Sequence, residues 1–538
     1  MAGNSYDAII IGAGHNGLVA ATYLSKAGYS VLVLERSERI GGAASSAALL
    51  PGYWVDSGSF DAGLFSQQLI TEFGLRKHDL RFIESPVLSF APQIDDIPLT
   101  LWRDYNRSNA EIGRFSQHDA RLYPSFRRLV SDIGEILRAI THLPPPPLRN
   151  LHFDNLSPWL RIALDYRRLG NDGMMEVLRI LPMPVTDFLG EWFETPILKA
   201  TLGTLGMTGL MLGPSAPGTT LMFLFNTLGS RPGIYPPTAF VRGGMSNLVN
   251  ALASEAQSRG AEILTGRRVC EIRLETNRAT GVMLEDGTLI EGKIILSNAN
   301  PQHTFFDLVG AKFLEVEFVR DLKKIRYRGS LTRLIFGLAD LPRFRSAIYR
   351  ESEMKEGTLL SGHITICPDL EYLERAYDDA KYGRPSMRPM LDIAIPTILD
   401  PSRAPKGKHL MLVNAQYTPS QLETGTWEEE RIPFLDRVVN LIGEYAPGFD
   451  RLIEAQAMLT PGDMEECFGL PGGCIHHGQM TLDQLFFMRP VPGYANYRTP
   501  VENLYLCGAS THPGGGVTGL PGYHAARTAI KDLSSGKK

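Results

Sequence analysis

The chain has 538 residues, of which 43% are hydrophobic and 21% are charged, and its formal net charge is −4 at pH 7. These proportions are those of a globular protein, and they exclude disorder or a collagen-like structure for the chain as a whole. The sequence contains no lysine- or arginine-rich block, which disfavours nucleic-acid binding, and its five cysteines include no CxxC pair. We therefore expect neither a disulfide framework nor a structural zinc site, and we expect a reducing compartment.

The first predicted elements are a strand, a glycine-rich turn, a helix and a second strand. The apolar run at 6–11 leads into Gly12–Gly17, and a helical pattern then continues to Gly28. A second apolar run at 29–35 ends at Glu35. This order predicts the parallel βαβ unit of a dinucleotide-binding fold, with an acidic residue at the expected distance from the glycines. The N-terminus shows no basic leader or cleavage site, so we expect no signal or transit peptide.

Each residue of the GxGxxG string has a physical role. Gly12 permits the tight turn, Gly14 lets a pyrophosphate approach the backbone, and Gly17 lets the helix pack on the strand. The helix that opens at His15 and Asn16 offers free N–H groups to phosphate. The acidic residue at the end of the second strand can accept hydrogen bonds from a ribose.

A second glycine motif follows the acidic strand end. Its members are Arg36, Gly41, Gly42, Ala43 and Ala44. Two glycines at this point let the chain pass close to a diphosphate, which NAD-dependent dehydrogenases do not need, so the motif favours FAD. Asp56 and Asp61 come soon afterwards. One of them can approach the flavin ring, and exposure to solvent is the alternative.

Helical patterns dominate between residues 65 and 235, where they are interrupted by the stretch Pro144–Pro147. The charge-free stretch at 200–230 is rich in Leu, Met and Phe, but Pro214 and Pro217 make it a poor transmembrane helix. Core packing, the lining of a substrate tunnel and membrane contact remain open for this stretch.

The α/β pattern returns at residue 241. Gly244 and Met245 open a predicted helix, and Val269 begins a short strand. We expect these residues to bring the chain back to the cofactor, with the backbone of Val269 near the adenine. Ordinary turn-and-strand packing is the alternative.

The C-terminal segment contains a strand at LYLCGA, a glycine-rich loop and a final helix from about residue 522. The string at 514–519 also matches GxGxxG, but too little chain follows to complete a second nucleotide-binding unit. We expect this loop and the start of the helix to contact the flavin end of the cofactor instead. The predicted contacts are Gly508, Gly515, Gly516 and Val517.

Three histidines are candidate catalytic residues. His512 lies on the loop predicted to contact the flavin, where it can be a proton donor or a simple hydrogen-bonding group. His476 and His477 lie in a polar, glycine-flanked segment and can face a substrate. No carboxylate pattern completes a site around them, so no metal is predicted. The sequence also lacks a GxSxG motif, which disfavours hydrolase chemistry.

The order of the patterns predicts an α/β protein with two domains. A Rossmann-like FAD-binding domain of the glutathione reductase and amine oxidase type is assembled from residues 1–64, 237–305 and 480–538. A mixed α+β substrate domain is formed by residues 65–236 and 306–479.

The ordered set of motifs resembles the phytoene desaturase-like FAD-dependent oxidoreductases, and the resemblance covers nearly the whole chain. Within that family it is strongest to a group named for a pyridine nucleotide-disulfide oxidoreductase domain. This sequence lacks the CxxC or CxxxxC pair that such reductases use, so we expect no dithiol chemistry and no stable pyridine-nucleotide site. The segments that carry the resemblance include IIIGAGHNGLVAATYL, ERIGGAA, VRGGMSNL, FGLPGGCIHHGQMTLDQLFF and LYLCGASTHPGGGVTG.

The resemblance implies noncovalently bound FAD and hydride transfer between substrate carbon and flavin N5. The reaction would be desaturation, saturation, isomerisation or oxygenation of an apolar, polyene- or isoprenoid-like substrate, such as a carotenoid. A flavin amine oxidase and an FAD-binding interaction protein with little turnover are the alternatives. Oxygen or a quinone would accept the electrons. We expect a cytoplasmic protein that can touch a membrane peripherally, and the sequence does not fix its oligomeric state.

Overall fold

The computed structural model describes residues 5–146, 153–229, 237–346 and 357–534. Pro147 of the predicted proline turn and the end of the charge-free stretch, from Ser230, lie outside the described residues.

Strands within the described residues follow the apolar runs of the sequence. In chain order they are β1 (Ser5–Ile11), β2 (Val31–Leu34), β3 (Ser46–Leu50), β4 (Tyr53–Asp56), β5 (Phe82–Ile83), β6 (Val87–Ala91), β7 (Leu99–Trp102), β8 (Phe240–Val241), β9 (Glu262–Leu264), β10 (Val269–Glu275), β11 (Arg278–Leu284), β12 (Leu289–Ser297), β13 (Leu331–Leu338), β14 (His363–Ile366), β15 (Met390–Ala394), β16 (His409–Gln416), β17 (Ile453–Leu459) and β18 (Leu504–Leu506).

Helices of the same residues are concentrated between β7 and β8, as the sequence predicts. In chain order they are α1 (His15–Lys26), α2 (Gln67–Glu72), α3 (Tyr105–Ile112), α4 (Gln117–Thr141), α5 (Phe153–Arg167), α6 (Gly170–Ile180), α7 (Val185–Gly190), α8 (Pro196–Gly203), α9 (Thr219–Asn226), α10 (Met245–Ser258), α11 (Val316–Lys323), α12 (Leu370–Lys381), α13 (Trp427–Tyr445), α14 (Phe449–Leu452), α15 (Pro461–Phe468) and α16 (Leu520–Ser534).

The first sheet is Rossmann-like and has the strand order β10-β11-β12-β1-β2-β9, with β18 also paired to β12. Strands β9, β2, β1, β12 and β18 run parallel, and Ile9 of β1 lies opposite Leu32 on one side and Ile295 on the other. A parallel strand covered on both faces must be apolar along its length, which explains the continuous run AIII in β1. Helices α1, α10 and α16 cover one face of this sheet.

The core beneath α1 extends beyond the predicted end of the first nucleotide-binding segment. Leu69, Phe73 and Leu80 are buried in the same cluster as the residues of α1 and α10. The packing of this half of the molecule therefore continues to about residue 80, past the sequence-based boundary at residue 64.

The second sheet is mostly antiparallel and has the strand order β17-β13-β16-β15-β14-β6-β7. Only the β14–β6 pair is parallel among its described pairings. Helix α13 packs on one face through Phe434, Val438 and Ile442. The other face is directed to the first sheet and to the helices, where it closes a cavity.

The charge-free stretch at 200–229 is largely buried among helices. Leu202, Met207, Leu221 and Phe223 belong to a helical core with the residues of α4 and α7. Within the described residues, no helix is both long and apolar enough to cross a membrane.

Candidate functional site

A cavity of about 630 Å³ begins at the carboxyl ends of β1 and β2 and continues to the second sheet. This volume lies within the ~300–1,000 Å³ that is usual for ligand sites. The carboxyl ends of parallel strands are where open α/β sheets bind ligands. Residues of both predicted domains therefore enclose one space.

The GxGxxG turn forms one end of this cavity. Gly12 has a φ of +96°, a conformation that favours glycine. Helix α1 starts directly after Gly14 with no side-chain cap, which leaves its first N–H groups free for a phosphate. The second glycine motif lies against this turn, because the Gly41 N–H donates to the Ala13 carbonyl at 2.9 Å.

Glu35 both lines the cavity and orders the turn beside it. One carboxylate oxygen accepts the Ala13 N–H and the other accepts the Ser37 N–H, each at 2.9 Å. Each oxygen can accept a further hydrogen bond, so Glu35 can still bind a ribose hydroxyl.

Most of the predicted cofactor contacts line this one cavity. Those that do are Gly12, Gly14, His15, Asn16, Glu35, Arg36, Gly41, Gly42, Ala43, Ala44, Val269, Gly516 and Val517. Five do not: Gly17, Gly244, Met245, Gly508 and Gly515. Direct contact with the cofactor remains a prediction for the first group.

The five other positions make packing contacts in the structure, as predicted for Gly17, and cofactor contact by Gly244, Met245, Gly508 and Gly515 remains a prediction. A Cβ on Gly508 would lie 2.7 Å from the Asn298 carbonyl oxygen, and one on Gly515 would lie 2.2 Å from His476 Nδ1. Gly244 has a φ of +91° and precedes α10, whose first residue, Met245, is fully buried.

For Asp56 the structure excludes the alternative of solvent exposure, because the side chain is only 1% exposed. Its carboxylate accepts the Met245 N–H at 2.8 Å and the Ser46 hydroxyl at 2.6 Å, and it pairs with Arg403 at 2.9 Å. Asp61 lines the cavity and hydrogen-bonds to His363.

His512 does not line the cavity, which favours the alternative role of a simple hydrogen-bonding group. Its Nε2 atom lies 3.2 Å from the Ile140 carbonyl oxygen, so its N–H donates to the end of α4. The ring also contacts His524 and Phe486. The side chain is thus a buried contact between the C-terminal loop and the helical layer.

His476 and His477 both line the cavity, as does His15. Burial lowers the pKa of each of these three rings to about 4, so all are neutral at pH 7. His476 donates to the Thr208 carbonyl, whereas His477 Nδ1 and His15 Nε2 have no hydrogen-bond partner among the described residues. His477 also has a φ of +53°, which is uncommon for a non-glycine residue.

A charged cluster at the second sheet forms the opposite wall, and of its members the sequence predicted a role only for Asp61. His363 Nδ1 lies 2.7 Å from Asp392 Oδ1, and its Nε2 lies 3.2 Å from Asp61 Oδ2. Arg333 donates to the Gly58 carbonyl at 2.7 Å. Burial lowers the pKa of Arg333 to about 10, which keeps it a cation at pH 7.

The His363 cluster predicts a pH dependence of stability. Burial disfavours the His363 cation, but Asp392 and Asp61 outweigh burial and raise its pKa from 6.5 to about 10. The cation's stabilisation is therefore complete below pH 6.5 and is lost as the pH rises towards about 10. We expect the difference in free energy of unfolding between the wild type and His363→Gln to shrink over that range in urea titrations. A constant or growing difference would contradict this assignment.

His118, Asp119 and Glu194 bring their ligand atoms within 4.8 Å of one another. They lie outside the cavity wall, and Asp119 accepts backbone N–H groups of Glu194 and Thr195 at 3.0 and 2.9 Å. Because it accepts these two backbone N–H groups, Asp119 acts as a structural carboxylate.

The geometry fits a dinucleotide with a flavin head group. An uncapped helix N-terminus, a left-handed glycine turn and an acidic strand end lie at one side. His15 and His477 line the same space as Gly516 of the C-terminal loop. The fold and the site thus define an FAD-dependent oxidoreductase.

Comparisons with known proteins agree with this class. The family model of the NAD(P)-binding Rossmann-like domain matches residues 10–60, and that of flavin-containing amine oxidoreductase matches residues 188–330. A solved oxidoreductase from Methanosarcina mazei shares the fold, with a TM-score of 0.59 at 15% identity over 97% of this chain and 99% of that chain.

Two curated relatives extend over nearly the whole chain. Phytoene desaturase (lycopene-forming) of Pseudescherichia vulneris is 26% identical over 95% of this chain and 96% of that protein. The pyridine nucleotide-disulfide oxidoreductase domain-containing protein 2 of Rattus norvegicus is 36% identical over 98% and 94%. The chain belongs to the family of pyridine nucleotide-disulfide oxidoreductase domain-containing protein 2. The predicted relationship to phytoene desaturases and the predicted cofactor, FAD, are confirmed.

Proposed function

We propose that this FAD-dependent oxidoreductase desaturates a largely apolar, isoprenoid-like substrate. The observation that carries the proposal is the continuity of the cavity from the glycine turn at Gly14 to the second sheet. A substrate in the distal part and a cofactor at the glycine turn would share one enclosed space. The likeness to a phytoene desaturase supports the reaction type.

Apolar side chains form much of the distal wall. They include Leu205, Leu331, Met390 and Ile475, which come from the helical layer, the second sheet and the segment that follows α15. Burial of apolar substrate surface against them would supply affinity and exclude water.

The chemistry that FAD supplies when bound is two-electron exchange with a substrate carbon at flavin N5. His477 lines the same cavity, and its neutral ring can take the proton that leaves the substrate in the same step. We propose oxygen or a membrane quinone as the final electron acceptor, and peripheral contact with a membrane as the route of an apolar substrate.

An amine substrate is less compatible with the distal wall. The carboxylates of Asp61 and Asp392, which could bind an ammonium group, both already contact His363. A cationic amine would also lie near the Arg333 guanidinium, which lines the same wall.

Anaerobic reduction of the flavin tests this function. The FAD-loaded protein is mixed without oxygen with a panel of isoprenoid hydrocarbons and alcohols or with putrescine and benzylamine, and the loss of flavin absorbance is followed. We expect an isoprenoid, and no amine, to reduce the flavin. Reduction by amines alone, or by nothing in the panel, would refute the proposal.

A pair of variants sharpens this test. Leu205→Trp would fill the distal part of the cavity, and we expect it to slow flavin reduction by the substrate about tenfold or more while photoreduction of the flavin is unchanged. Leu289→Trp is the matched control, because Leu289 is 43% exposed and lies outside the cavity.

A further inference from the structure

A row of polar side chains crosses the sheet face that closes the cavity. Arg333 of β13 is the register partner of Asn414 of β16, which also pairs with Asp392 of β15. Asp392 in turn pairs with Thr365 of β14, and the Thr365 hydroxyl lies 3.2 Å from the Ser89 hydroxyl. Directly paired residues project from the same face of a sheet. All five members of this polar row line the cavity.

Most of the hydrogen-bonding capacity near the row is already used. His363 donates to Asp392 and Asp61, and the Asn414 amide donates to Asp392 Oδ2 at 3.2 Å. The Arg333 guanidinium lies 4.7 Å from the centre of the Phe60 ring. Its terminal nitrogen atoms donate to backbone carbonyls.

Two polar atoms of the row are left over. Among the described residues, Arg333 Nε and Asn414 Oδ1 have no hydrogen-bond partner, although these residues are only 3% and 8% exposed. The first atom is a donor and the second is an acceptor. Buried polar atoms are normally paired, so such a donor and acceptor on adjacent strands are completed by a bound water or by a polar group of a ligand that displaces it.

The charge around the two atoms is balanced. The cations Arg333 and His363 are matched by the carboxylates Asp61 and Asp392. The surroundings of the two atoms therefore carry no net charge and do not favour a charged ligand. The group that completes the row is therefore neutral, and it both accepts and donates a hydrogen bond. A hydroxyl group does both, a carbonyl oxygen only accepts, and a hydrocarbon does neither.

We propose that Arg333 and Asn414 bind a hydroxyl group of the substrate, so that this enzyme acts on an isoprenoid-type alcohol rather than a hydrocarbon. The hydroxyl oxygen accepts the Arg333 Nε–H, and its proton is donated to Asn414 Oδ1. This inference rests on the proposed function, because it places the substrate in the distal part of the cavity.

The test compares two probes that differ only in the hydroxyl group. Geranylgeraniol and its counterpart with hydrogen in place of the hydroxyl are titrated anaerobically into the FAD-loaded protein, with flavin fluorescence as the readout. We expect the wild type to bind the alcohol about tenfold or more tightly than the hydrocarbon. In Asn414→Leu and in the conservative Arg333→Lys, which lacks Nε, we expect the ratio of the affinities for the alcohol and the hydrocarbon to fall to about one.

Thr332→Val is the matched control, since Thr332 is buried on β13 next to Arg333 and does not line the cavity. This variant should keep the wild-type ratio of the affinities for the alcohol and the hydrocarbon. Equal affinities for the two probes, or no binding of either, would overturn the inference, as would loss of FAD from both variants of the row. Flavin reduction by the hydrocarbon with equal affinities would leave the proposed function standing, whereas reduction by amines alone would refute the proposed function itself.

Discussion

Gly17→Ala is expected to reduce the FAD content of the purified protein to below about a tenth of the wild-type value. The alanine Cβ would lie 2.2 Å from the Gly12 carbonyl oxygen, and this contact is with backbone rather than with a flexible side chain. Helix α1 would have to move away from the turn. Its first N–H groups would then no longer be in place to bind the phosphates. FAD released by denaturation, divided by polypeptide concentration, measures the effect.

Gly443→Ala is the matched control for this prediction. Gly443 lies within helix α13, and a Cβ at this position would meet no atom within 4 Å. The replacement should leave FAD content unchanged and stabilise the protein by roughly 0.5–1 kcal/mol, as expected for glycine to alanine within a helix. Full FAD occupancy in Gly17→Ala would show that this glycine is not required by the nucleotide-binding turn.

Arg403→Ala is expected to lower the free energy of unfolding by about 3–5 kcal/mol. Arg403 and Asp56 are 2% and 1% exposed and lie 2.9 Å apart, so the replacement leaves a buried carboxylate without its cation. Asp56 also accepts the Met245 N–H at the start of α10. The loss should therefore loosen the junction between the two sheets, and urea unfolding followed by circular dichroism measures it.

Arg273→Ala removes an ion pair of similar length at the surface. Arg273 and Glu271 are 50% and 49% exposed and lie 3.0 Å apart. Solvent screens such a pair, so we expect a change below about 1 kcal/mol. If the two variants lost similar stability, the buried pair would not have the structural role assigned to it.

The nucleotide-binding half could be predicted from sequence because its signals are local. The strand, glycine turn, helix and acidic strand end occupy about thirty consecutive residues, and each has a fixed physical purpose. The observed β1, α1 and β2 lie where these patterns predict them. The cavity lining by Gly12, Gly14 and Glu35 follows from that order.

The polar row could not be predicted as a site, because its members come from strands that are distant in sequence. Arg333, Asp392 and Asn414 become neighbours only through the register of β13, β16 and β15. A signal did exist in each strand: a charged or amide residue within an otherwise apolar run, as in LTRLIFGL. Such a residue in a buried strand requires a partner, which the sequence alone does not identify.

The packing contacts of His512 and Gly244 could not be predicted from the sequence, for a common reason. Both residues belong to conspicuous motifs that follow a strand or precede a helix, which suggested contact with the cofactor. In the structure His512 donates to the end of α4, and Gly244 allows the close approach of Ser46 and Asp56. Side-chain direction on a loop depends on tertiary contacts that a sequence motif does not specify.

The assignment of FAD to the glycine-rich cavity is tested most directly by the identity and amount of the nucleotide that the wild-type protein binds. The purified protein is denatured, and the released cofactor is identified by chromatography and quantified against polypeptide. We expect a yellow protein that releases FAD, with one FAD bound per chain after reconstitution. A colourless protein that cannot be loaded with FAD would contradict this assignment.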